Sequence, residues 1–133
     1  MEIKVITPSS RPTYVGKGRI TKVLLEPKDG IDSFSCTHVV FPPGEESEKH
    51  GKRETAEVVY VVDGVLTLIE DNTAHEVPKG GFAVIPRGTK HIHANRTDNN
   101  LEILVFLVPA GPEQVFLERK LLASVEHDAD RIP

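Results

Sequence analysis

The chain has 133 residues, the size of one domain with one buried core, and its 38% apolar and 27% charged residues exclude a disordered tract. A formal charge of -4, with no basic run longer than two residues, excludes a nucleic-acid backbone as the main partner. Cys36 is the only cysteine, which excludes an intrachain disulfide and a thiolate-rich metal site. No stretch of 18 apolar residues and no basic-then-apolar leader is present, so the expectation is a cytoplasmic protein that does not enter a membrane.

Residues 1–19 hold Pro8, Pro12, Gly16 and Gly18 and read as an N-terminal arm with a short strand near Ile3, Val5 and Ile6. Residues 20–25 form the next strand, closed by the turn Pro27-Lys28-Asp29-Gly30. Residues 34–41 are rich in β-branched and aromatic side chains and end at Pro42-Pro43-Gly44. The stretch from Glu45 to Glu57 is too polar for a buried helix. Two apolar runs, 58–62 and 65–69, flank Asp63-Gly64, a local signal for a β-hairpin. Shorter strands follow before Pro78, at 82–85 and at 91–95, separated by Lys79-Gly80-Gly81 and by turns at Pro86 and Gly88. Residues 101–108 are apolar throughout except Glu102, so both faces of that strand seek burial. The barrel interior covers one face, and a homodimer would cover the other. From Pro112 to about His127 the pattern predicts one helix, with Pro112 in its first turn and Val115, Leu117, Leu121 and Leu122 forming a stripe. Eight to ten short strands make the chain all-β, and a sandwich and a barrel both fit that spacing.

Two segments carry most of the candidate ligands. Residues two apart in a strand share a face, so His50 and Lys52 point together, as do His91, His93 and Asn95. If both sets face one interior together with Glu57, imidazoles and a carboxylate converge, a donor set suited to Fe(II), Mn, Ni, Zn or Cu. His38 and His75 stand apart from these segments, and Phe34, Cys36 and His38 alternate with Thr37, Val39 and Phe41, so either set can face inward. The nucleotide-phosphate loops, the His-Glu-x-x-His zinc motif and the Gly-x-Ser-x-Gly elbow are all absent from the sequence.

Here the chain resembles the cupin family. That family's first motif is a glycine, five residues, His-x-His, three or four residues, a glutamate, six residues and a glycine. Gly44, His50, Glu57 and Gly64 fit it, with Lys52 where the second histidine belongs. The second motif is a glycine, five residues, Pro-x-Gly, two residues, a histidine, three residues and an asparagine. Gly80, Pro86, Gly88, His91 and Asn95 fill every position. The resemblance implies a double-stranded β-helix barrel over about residues 20–110 of a single domain. It implies a divalent metal, Fe(II) first and Mn, Ni or Zn next, held by His50, Glu57 and His91.

Lys52 is the departure from the family pattern. A protonated ammonium has no lone pair to give a metal, so Lys52 is expected to face an anionic substrate or act as a base. His93 either replaces the missing histidine or lines the pocket as a catalytic base. The implied function is a metal-dependent enzyme acting on a small organic molecule, first of all a non-haem iron dioxygenase or related oxidoreductase. A non-oxidative isomerase, cyclase or lyase, and a binding module without catalysis, are the alternatives.

Overall fold

In the computed structural model, residues 2–16, 18–51 and 54–110 are described. Lys52 and the helix expected from Pro112 to His127 lie outside the described residues. Nine strands occur among the described residues: β1 (Tyr14–Gly16), β2 (Arg19–Leu25), β3 (Ser35–Phe41), β4 (Ala56–Asp63), β5 (Leu66–Glu70), β6 (Thr73–Val77), β7 (Phe82–Ile85), β8 (Ile92–Ala94) and β9 (Leu101–Val108). They form two antiparallel sheets, one ordered β1-β2-β3-β9-β4-β7 and the other β6-β5-β8. This is the all-β, double-stranded β-helix that the motifs imply.

The apolar strand β9 lies in the middle of the larger sheet, paired along its whole length with β3 and with β4. Its odd-numbered residues Leu101, Ile103, Val105 and Leu107 face inward with Val39, Phe41, Val59, Val61 and Ile85, and meet Leu66, Leu68 and Val77 of the smaller sheet. Leu66, Leu101, Ile103, Val59 and Val61 are fully buried, each worth about 1.5–3 kcal/mol of burial free energy. Register therefore decides which alternating set of β3 is inside: Thr37, Val39 and Phe41 pair with Val105, Ile103 and Leu101. Cys36 and His38 lie on the outer face.

Two local expectations are corrected. The Asp63-Gly64 pair does not close a hairpin. Strand β4 pairs with β9 and β7, whereas β5 pairs with β6 and β8, so the pair carries the chain from one sheet to the other. Non-local pairing with β9 outweighed the local turn signal. Gly64 is needed there because its φ is +90° and a Cβ would come within 2.7 Å of the Asn100 carbonyl oxygen. The tight hairpin is instead β5–β6, where Glu70 pairs with Thr73 across Asp71-Asn72 and Asp71 adopts φ 52°. The strand expected near Ile3–Ile6 is also absent. Ile3 and Val5 are 93% and 83% exposed, and the arm instead makes a 3-10 turn at Pro8–Ser10, since the sheet begins with β1 and offers them no ladder.

Candidate metal centre

Three chain segments deliver the site. Glu57 lies near the start of β4, in phase with the inward Val59 and Val61, and is paired with Leu107 and Ile85. His91 immediately precedes β8, His93 lies within it, and the two share its inner face. His50 ends the polar stretch after β3, which the sequence gives no regular structure. Backbone bonds nonetheless pin it along β8: Ser47 N–H to the His93 carbonyl at 2.8 Å, and His50 and His91 exchanging N–H···O bonds of 2.9 and 2.8 Å. That mutual pairing sets the two imidazoles side by side, with ring centroids 4.3 Å apart. Gly51 permits the approach, because a Cβ there would strike the Thr89 carbonyl.

The result is one cluster. Ligand atoms of His50, Glu57, His91 and His93 all lie within 4.8 Å of one another. Glu57 Oε2 is 2.6 Å from His93 Nε2 and 3.4 Å from His91 Nε2, and Oε1 is 3.7 Å from His50 Nε2. The expected set of His50, Glu57 and His91 is brought together, and His93 joins it as a fourth donor rather than standing apart on the wall. Asn95, in phase with both histidines, does something else. Its amide donates to the carbonyls of Phe41 and Asn99, and its Oδ1 accepts from the Thr97 N–H and hydroxyl, knotting the loops at the barrel end. His38 is on the outer face, 2.7 Å from Glu102. His75 is half-exposed beside Glu70 at 3.4 Å.

The hydrogen bonds fix the tautomers. His50 Nδ1–H donates to the Glu48 carbonyl at 2.9 Å, and His91 Nδ1–H donates to the Thr89 carbonyl at 2.8 Å. In each neutral ring the Nε2 lone pair then points at the Glu57 carboxylate, acceptor against acceptor. His91 Nε2 is buried with no hydrogen-bond partner, although it lies within ion-pair distance of Glu57. A cation between the rings, a proton or a metal ion, satisfies this arrangement.

The charge state follows the same conflict. Burial pushes the Glu57 carboxyl up, but the charge of His93 and the close contacts of the three imidazoles outweigh it and hold it well below its ordinary range. Burial lowers His93 more than Glu57 raises it, so His93 titrates below its ordinary value. Burial also lowers His91, yet its close contact with the Glu57 charge prevails and raises it. Three nitrogens and a carboxylate in a water-poor cavity fit a divalent first-row ion, and the buried, unpartnered Nε2 fits it too.

The cavity beside the cluster has about 20 Å³ free, room for a water or an ion, and Val39, Phe41, Ile103 and Val105 form its apolar wall. Arg19 also lines it, a residue that sequence reasoning missed. Its inner-face phase with Thr21 and Val23 at the head of an apolar strand was the available signal. A wider opening, of about 290 Å³, lies between β7 and the hairpin β5–β6, with His91, Glu70 and His75 among its lining. No helix among the described residues is long and apolar enough to cross a membrane.

Comparison with known proteins agrees with the architecture. No curated protein sequence matches the chain. Among solved structures, the polyketide cyclase RemF from Streptomyces resistomycificus superposes with a TM-score of 0.72 at 21% identity, over 84% of this chain and 82% of that one. A protein described as a predicted oxalate decarboxylase, from Thermotoga maritima, gives 0.72 at 17% identity, over 80% of this chain and 99% of that one. A sugar phosphate isomerase of the cupin superfamily from Silicibacter pomeroyi gives 0.60 at 29% identity, over 74% and 69%. The family model for the cupin domain matches residues 37–107, more than half of the chain and all of the segments that build the cluster, and the chain belongs to the cupin family.

Proposed function

We propose that this protein is a metal-dependent cupin enzyme acting on a small organic metabolite, with His50, Glu57, His91 and His93 as the ligands of a divalent ion. The observation that carries this reading is the pair of Nε2 lone pairs locked toward a carboxylate by Nδ1–H bonds to backbone carbonyls. Bound there, the ion would supply Lewis acidity at a substrate oxygen. The chain's own contributions are to orient the imidazoles through Glu48 and Thr89, to hold charge near Glu57, and to exclude water with the apolar wall.

Non-oxidative chemistry is the best reading of this donor set. With His93 as a fourth donor, the set departs from the two-histidine, one-carboxylate arrangement of non-haem iron oxygenases. The likeness to a sugar phosphate isomerase, at 29% identity, points the same way. Isomerisation, cyclisation or lyase work then needs a proton carrier. Two candidates are His75, which lines the wider opening with His91 and Glu70, and Lys52, two residues after His50. A non-haem iron dioxygenase is the second reading, favoured by His50, Glu57 and His91 meeting as its ligand triad does.

Metal analysis after purification without chelator tests the reading. Near-stoichiometric metal, lost in His50→Ala and in His91→Ala, is expected. Failure to take up any of iron, manganese, nickel or zinc would sink it. Oxygen consumption matched to product would transfer the chemistry to the dioxygenase reading. We further propose a homodimer through the outer face of the larger sheet, where Phe82 and Val84 are 64% and 72% exposed; light scattering decides it.

A further inference from the structure

Arg19 is a charged side chain in an unusual place. It heads β2 with its side chain 4% exposed, and its guanidinium carbon lies 5.8 Å from the centre of the Phe41 ring. One terminal nitrogen, Nη2, bonds Glu48 Oε1 at 2.8 Å. The other, Nη1, is buried with no hydrogen-bond partner. A buried guanidinium nitrogen left without an acceptor is costly, and such a group persists in a fold when something outside the chain supplies the acceptor.

The surroundings say what that acceptor is. Arg19, His50, Glu57 and His93 line one cavity, so a group reaching Nη1 also stands beside the proposed metal centre. Apart from Ser47, whose hydroxyl donates to the Glu48 carbonyl and accepts from the His93 N–H, the remaining wall is apolar, which strengthens a charge-assisted bond. Glu48, the present partner, is 42% exposed, whereas Arg19 is buried. Nη1 and Nη2 belong to one planar fork, so an oxyanion at Nη1 lies beside the oxygen that Glu48 presents to Nη2 and competes with it. The free space of about 20 Å³ admits a small terminal group rather than a whole ring.

We propose that Arg19 is the anion-recognising residue of this site, binding a carboxylate or phosphate group of the substrate while the substrate's reacting end faces His50, Glu57, His91 and His93. This rests on the metal-enzyme reading for the reacting end only. Arg19 recognises the oxyanion through its own hydrogens, and Glu48 is the internal competitor that occupies the fork until substrate arrives.

Calorimetric titration with acetate, oxalate and inorganic phosphate, on cobalt-loaded and on metal-free protein, tests this directly. Arg19→Gln should weaken the tighter-binding anion at least tenfold while metal content stays equal to wild type. Glu48→Gln should tighten it, and Arg19→Lys should retain part of the affinity. The acetate and phosphate arms tell a carboxylate substrate from a phosphate one. Unchanged anion affinity in Arg19→Gln, or no millimolar binding to wild type, overturns the proposal even when metal loads normally. Should Arg19→Gln not fold, Glu48→Gln and Arg19→Lys carry the test, and equal affinity in both counts against it. Absence of metal uptake, by contrast, sinks the enzyme reading, and the metal-free titration still decides the role of Arg19.

Discussion

Around Leu66, Leu101 and Ile103 the barrel interior is sealed and apolar. Around Glu57 the same two sheets enclose three imidazoles, a carboxylate and, across the cavity, a guanidinium. Both regions are built by one alternation: Val61, Val59 and Glu57 are successive inward positions of β4. The first holds the sheets together without directional demands. The second gives up stability, since burying titratable groups in mutual conflict is unfavourable in the absence of a cation. The difference teaches where to expect stability and where to expect chemistry, and each is open to separate attack.

The largest effect is expected in the apolar region. Leu101→Ala removes a fully buried side chain packed between the sheets and should cost about 2–5 kcal/mol, with a matching fall in the denaturation midpoint. If the two regions are as distinct as their contacts indicate, the folded fraction of this variant still binds one metal per chain. Loss of metal in well-folded Leu101→Ala would mean that the regions are coupled.

The polar region is probed by pH on metal-free protein. The Glu57 carboxyl is depressed in the folded state, so it contributes stability fully present above its ordinary value of about 4.3 and lost as pH falls through the native value. His93, also depressed, must be protonated against burial, and likewise loses stability as pH falls below about 6.5. His91, raised, has the opposite sign: its contribution is complete below about 6.5 and disappears as pH rises through its native value. The two imidazoles act with opposite signs near neutrality, and at lower pH Glu57 adds to the acid limb. Glu57→Gln should therefore flatten the fall in melting temperature below about pH 4.5 and cut metal affinity by about 10–100-fold or more. Asp29, held low by Arg11 at 2.7 Å, contributes an acid-range slope of the same sign that this substitution leaves in place. An unaltered acid limb in Glu57→Gln would place the titration elsewhere.

Much of this was legible in the residues. The strand 101–108 was read to its ends, because eight successive residues with a single charge leave few alternatives, and the inward phase of Glu57 followed from Val59 and Val61. The ligand trio of His50, Glu57 and His91 came from the resemblance to the cupin motifs. What escaped was non-local. Asp63-Gly64 has the composition of a hairpin turn, and only the competing edge of β9 sends β5 to the other sheet. His93 was legible as inward, but its distance to Glu57 depends on how far β8 sits from β4, which no single strand records. Arg19 was overlooked because arginine at the head of a strand normally faces water, and its burial arises from Phe41 and Glu48, 22 and 29 positions away.

The smallest effect separates inside from outside. His38 and His91 are the same residue type, and each faces a glutamate, at 2.7 and 3.4 Å. His38 meets Glu102 on the outer face, where one imidazole and one carboxylate can satisfy each other with a single proton. His91 shares Glu57 with two further imidazoles and has its Nδ1 proton committed to Thr89. His38→Ala removes one part-buried hydrogen bond, should thus cost about 0.5–1.5 kcal/mol, and should leave metal stoichiometry at the wild-type value. His91→Ala, a chemically identical deletion, should abolish stoichiometric metal. Equal metal loss in the two variants would show that histidine number, rather than convergence on Glu57, governs binding, and the division of the barrel into a packed region and a reactive one would fail with it.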